Sequence, residues 1–169
     1  MTHLPELLDC SRPDRLRMQP VDDRVMGGRS ASRFRATGEG TGVFEGIVSR
    51  ENGGGFASVR CGIPNTDLGM APGVLLRVRG DGHRYRLSLR NDRRLSGVNY
   101  LQGFHPPKDE WAEIHLPFAG FRASLRGRTP PDAPPLNPRR IRQVGLMIAD
   151  GQEGPFQLEL AWIRAWDGR

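Results

Sequence analysis

The feature that most restricts what this chain can fold into is a two-residue rhythm of apolar and charged side chains. In GVLLRVRG, residues 73–80, Val74, Leu76 and Val78 fall on one side while Arg77 and Arg79 fall on the other. In HRYRLSLRN, residues 83–91, Tyr85, Leu87 and Leu89 alternate with Arg84, Arg86, Ser88 and Arg90. Successive side chains of a strand point to opposite faces, so each run predicts a half-buried β-strand. Asp81-Gly82 between them is a hairpin signal. The reading therefore places Arg77, Arg79, Arg84, Arg86 and Arg90 on one polar face of two adjacent strands.

Further strand candidates are residues 30–37, 42–49, 56–62, 97–104, 111–118, 143–150 and 156–165, with a short LRMQPV run. No segment longer than two turns keeps helical spacing free of glycine or proline, and with Gly 22 and Pro 14 the chain is punctuated throughout by turns. About ten short strands and 169 residues predict one all-β domain, a sandwich or jelly roll, over 15–169. Residues 1–14 read as a flexible polar lead with at most one helical turn in PELLD. The stretch 122–140, rich in proline and arginine, reads as an exposed loop.

A net charge of +6 would ordinarily direct attention to polyanions, but Lys108 is the only lysine among 25 basic residues. So strong an arginine bias fits codon choice in a GC-rich genome as well as it fits phosphate binding. Without a recognition helix or stacking platform, nucleic-acid binding is not expected. Cys10 and Cys61 lack metal or CxxC spacing and read as free thiols of a reducing compartment. No signal peptide, transit pattern or apolar run of membrane-spanning length is visible, so the expectation is a cytoplasmic, bacterial protein without direct membrane insertion.

Two glycine clusters remain. In SRENGGGFASVR, residues 49–60, no lysine follows the glycines as a phosphate-binding loop requires, and FASVRCG continues as a strand where a dinucleotide fold needs a helix. Gly53 to Gly55 are thus predicted to turn a corner or form a bulge. Glu51 and Asn52 beside them are either solvated turn residues or groups facing a cleft. In VDDRVMGGRSAS, residues 21–32, Asp22, Asp23, Met26, Gly27, Gly28 and Ser30 have the same turn-building chemistry.

Together, DDRVMGGRSAS, FEGIVSRENGGGFASVR, GDGHRYRLSLR, WAEIHLPF and VGLMIADGQEGPFQLELAWI resemble, in order, the blocks of the complex I intermediate-associated protein 30 family, from about residue 16 to 165. The resemblance implies a galactose-binding-domain-like β-sandwich, similar to carbohydrate-binding modules, and relatives that assist assembly of respiratory complex I. The chain departs from the family pattern at Gly53, where a second Asn is common, at Asp22, often Asn, and in lacking a long mitochondrial presequence.

The chemistry available is that of binding. The four histidines, His3, His83, His105 and His115, have no metal-ligand spacing, no GxSxG elbow exists, and Cys61 reads as a strand cysteine. No catalytic residue and no cofactor is expected. Candidate contacts are Asp22, Asp23, Met26, Gly27, Gly28, Ser30, Glu51, Asn52 and Arg60 with the five ladder arginines. Their guanidinium forks suit an acidic protein surface or an anionic ligand. The leading expectation is a protein-interaction module, reaching the inner membrane only through its partner; a lectin-like small-ligand module is the alternative. Trp162 reads as core with Phe156, Leu158 and Leu160, Tyr100 is a candidate for the arginine-bearing face, and Trp111 and Trp166 are undetermined. A third reading is a structural calcium on Asp22 or Asp23 with Asp150.

Overall fold

A computed structural model describes residues 4–23, 27–94 and 97–169. Among the described residues twelve strands run in chain order as β1 (Glu6–Asp9), β2 (Gln19–Pro20), β3 (Ala31–Ala36), β4 (Gly42–Val48), β5 (Ala57–Thr66), β6 (Gly73–Arg79), β7 (Tyr85–Arg90), β8 (Asn99–Phe104), β9 (Trp111–Pro117), β10 (Arg122–Ser124), β11 (Ile141–Ile148) and β12 (Gly154–Trp166). They form two six-stranded antiparallel sheets. The first has the order β3-β4-β12-β6-β9 with β1 also against β12, and the second the order β10-β8-β7-β11-β5-β2. Among the described residues no helix is long and apolar enough to cross a membrane.

The alternation that predicts the strands also supplies the core. Val74, Leu76 and Val78 of β6 meet Leu87 and Leu89 of β7 and Leu146 and Ile148 of β11 in one buried cluster. Phe44 lies edge-on to Phe156 at 4.8 Å and to Tyr85 at 6.2 Å, joining the inner faces of the two sheets. Each such side chain contributes about 1.5–3 kcal/mol by leaving water, so a two-layer sandwich needs no helices to be stable.

Several expectations are corrected. The lead is partly a strand: β1 pairs with β12 and buries Leu7, Leu8 and Cys10. Residues 80–84 do not close a hairpin, because β6 pairs with β12 and β9 in the first sheet whereas β7 pairs with β8 and β11 in the second. Asp81 fixes this crossover by accepting bonds from Gln157 N at 2.7 Å, His83 Nδ1 at 2.9 Å and Tyr85 OH at 2.9 Å. Trp162 is outside the core, because a bulge between Leu160 and Trp162 shifts the phase of β12 and turns Ile163 and Ala165 inward. Tyr100 points inward, donating to Pro134 O at 2.7 Å. That bond, the buried Leu136 and two bonds from Asn91 Nδ2 to the carbonyls of Asn137 and Arg140 fasten the proline-rich stretch to the body.

Candidate functional site

The two glycine clusters meet at a single corner, and Asp23 is its centre. Its side chain is fully buried and accepts bonds from Ser30 N at 2.9 Å, Ser30 Oγ at 2.6 Å and Gly55 N at 2.7 Å. Burial opposes ionisation, but the bonds from Ser30 and from the Gly55 and Phe56 amides outweigh it and hold the carboxyl below the usual carboxylate range. Gly54 must lack a side chain because a Cβ there would lie 2.3 Å from Asp23 Oδ2. Gly55 has φ +146°, a backbone state that L side chains rarely adopt.

Asp22 fastens the next strands in the same way, accepting from Ser32 N at 3.0 Å, Ser32 Oγ at 2.6 Å and Ser58 N at 3.0 Å. Gly28 also packs on Asp23, where a Cβ would fall 2.4 Å from the carboxyl carbon. Gly27 turns the chain with φ +87°, and Met26 lies outside the described residues. Glu51 and Asn52 sit exposed on the short turn 51–53, with Glu51 3.5 Å from Arg29 Nε and Asn52 in the left-handed region at φ 56°. Asp150 is engaged by Arg86, and among the described residues no cluster of three or more His, Cys, Asp or Glu is placed to hold a metal.

The five ladder arginines do not share one face. Arg77 and Arg79 lie on the outer side of the first sheet, where both cover the Trp111 ring at 5.4 and 5.5 Å and are paired with Glu113 and Glu159. Arg84 precedes β7, exposed, with its backbone held by Gln152 Oε1 at 2.8 Å. Arg86 and Arg90 are on β7, on the outer side of the second sheet, where they meet Arg60 of β5.

There a trough of about 620 Å³ crosses β5, β11, β7, β8 and β10. Its lining contains Arg60, Arg86, Arg90 and Arg126 and, among the described residues, no carboxylate. The strand register explains the floor: Gly145 stands between Ser88 and Arg60, so no side chain separates them. The Arg60 side chain has neither an ion pair nor a hydrogen bond among the described residues, and burial lowers its pKa. Arg90 is fixed by bonds from Nη1 to the carbonyls of Gly97 at 3.0 Å and Arg94 at 3.3 Å. Burial, and then the charge of Arg60, bring its pKa down to about 10.

Ser88 Oγ donates to Asn99 Oδ1, which leaves the Asn99 amide NH₂ as a donor at the trough. Sequence reasoning does not single out Ser88, Asn99, Leu101, Met147 or Arg126 as contacts. Alternation alone could have marked Ser88 and Asn99, since Leu87, Leu89 and Tyr100 beside them are buried. Donors and cations facing an acid-free floor recognise oxyanions; no nucleophile with an activating base lies among these residues.

Residues 9–160 match the family described as complex I intermediate-associated protein 30. The mitochondrial complex I intermediate-associated protein 30 of Mus musculus is 33% identical over 95 residues, which are 53% of this chain but only 29% of the mouse protein's length. An uncharacterized protein of Schizosaccharomyces pombe is 28% identical over 165 residues, 86% of this chain and 75% of that one. Among solved structures, a family 11 carbohydrate-binding module of a Clostridium thermocellum cellulosomal cellulase superposes with a TM-score of 0.70 at 16% identity, covering 97% of this chain and 96% of the module. The module from the same organism in complex with a β-1,3-1,4-mixed-linked tetrasaccharide gives 0.61 at 15% identity, with 88% and 86% covered. At these identities the likeness establishes a shared β-sandwich fold.

Proposed function

Since this chain belongs to the complex I intermediate-associated protein 30 family, we propose that it is a non-catalytic interaction module that assists assembly of respiratory complex I by holding a protein partner. The observation that carries this reading is the trough on the second sheet, lined by four arginines and no carboxylate among the described residues. Arg60 and Arg90 are the contact residues, Arg86 being paired with Asp150, and Glu51 and Asn52 lie at the adjoining corner. The protein works in the cytoplasm and reaches the inner membrane through its partner. Tagged protein purified natively from its own cells should carry complex I subunits, and its deletion should leave partly built complex on native gels. Unchanged complex I and no co-purifying subunit would overturn the reading.

The fold shared with carbohydrate-binding modules supports a second reading, a lectin-like site for a small ligand. A saccharide platform uses stacked rings, and Phe56 is the single aromatic residue of the described trough lining. A thermal-shift titration with the mixed-linked tetrasaccharide decides: a ligand at 100 times its Kd adds about 2.7 kcal/mol, and the absence of a shift removes this alternative.

A further inference from the structure

The distribution of charge along the trough narrows what the partner must present. Arg60 stands on β5, Arg90 on β7 and Arg126 in the turn just past β10. In the second sheet β11 separates the first two, and β8 lies between β7 and β10. Neighbouring strands are about 4.8 Å apart, so the backbones that carry the three arginines are spread over about 19 Å across the sheet. One small anion cannot engage all three across that spread. An extended chain can, because three residues cover about 9.3–10 Å and six or seven fill the length.

The lining of the trough disfavours other polyanions. A nucleic-acid strand or a saccharide needs ring platforms, and Phe56 at one end is the sole ring of the described lining. Leu101, Leu125 and Met147 also line the trough, surfaces suited to aliphatic side chains. Arg86 already carries Asp150. Arg60 and Arg126 therefore flank Arg90, whose guanidinium is held in place by its bonds to the Gly97 and Arg94 carbonyls.

Resting on the interaction reading above, we propose that the trough seats an extended acidic peptide segment of the partner, with carboxylates on Arg60, Arg90 and Arg126 and aliphatic residues against Leu101, Leu125 and Met147. The test is fluorescence anisotropy of the full chain with a labelled heptapeptide carrying Glu at positions one, four and seven and aliphatic residues elsewhere. The Gln version of the peptide and an oligogalacturonate serve as comparison probes. Expected is binding of the Glu peptide that weakens by about tenfold for each of Arg60→Gln and Arg126→Gln, with the Gln peptide at least as weak.

Neither substitution removes an internal hydrogen bond or ion pair of the side chain among the described residues, and an unchanged melting temperature will verify that each variant is folded. Equal binding of the Glu and Gln peptides, insensitivity to both substitutions, or tighter binding of the oligogalacturonate would overturn the inference. Complex I subunits that still co-purify with the Arg60→Gln/Arg126→Gln protein would overturn it too, while leaving the interaction reading intact. Peptide binding as expected without any co-purifying subunit would support the inference and count against the complex I role alone.

Discussion

The outer faces of the two sheets are both rich in arginine and electrostatically opposite. On the first sheet Arg33 and Arg35 converge on Glu45 at 2.7 and 3.0 Å, Arg79 takes Glu159, and Arg77 lies 3.9 Å from Glu113. Its tryptophans are absorbed as well: Trp111 lies under Arg77 and Arg79, and the Arg164 guanidinium sits 3.4 Å from the Trp162 ring centre. On the second sheet the trough keeps Arg60 without an acidic partner among the described residues. What separates the two faces is therefore where the acids are, and a count of arginines is blind to that.

The largest break in this contrast comes from dissolving the corner that carries one end of the trough. Asp23→Ala strips a buried carboxylate from the Ser30, Gly55 and Phe56 donors and should destabilise the fold by about 3–5 kcal/mol in denaturant titration. The same group makes stability acid-sensitive. Its folded pKa lies below the unfolded value, so its contribution is complete above about pH 4 and is lost as pH falls through the folded pKa. Asp23→Asn should start less stable at pH 7 and show a shallower decline below about pH 4.

A smaller effect separates the faces functionally. Arg60→Glu should weaken partner binding by about 1.4–3 kcal/mol, whereas Arg77→Glu, on the first sheet, should leave the binding isotherm unchanged. For stability the order reverses. Glu45→Gln, which leaves Arg33 and Arg35 without their shared acid, should lower stability by about 0.5–1 kcal/mol. Arg60→Gln should change it by less than about 0.5 kcal/mol in the unfavourable direction or raise it, since burial without an acid already disfavours that cation.

The sheets were legible because burial on one side imposes the alternation directly: Val74, Leu76, Val78, Leu87 and Leu89 are all buried as the rhythm predicts. The glycine corner was legible as a corner, but not its cause, because nothing local says that Gly28 and Gly54 pack against the carboxylate of Asp23. Pairing was where local reading failed. Asp81-Gly82 has the composition of a hairpin, yet it joins two sheets, so Arg77 and Arg79 parted from Arg86 and Arg90. Trp162 was misplaced for a comparable reason: one extra residue in β12 reverses every later side chain, and a period-two pattern cannot reveal such a slip before the partner strand is known.

Strand β12, the last of the twelve described, lies between β4 and β6 and also receives β1. Until the ribosome has delivered it, β4 and β6 have no common neighbour, and half of the sandwich stays open with apolar strands exposed. The first sheet of a nascent chain thus cannot close until β12 has emerged, and a ribosome stalled ahead of residue 154 would display an adhesive intermediate in need of a chaperone.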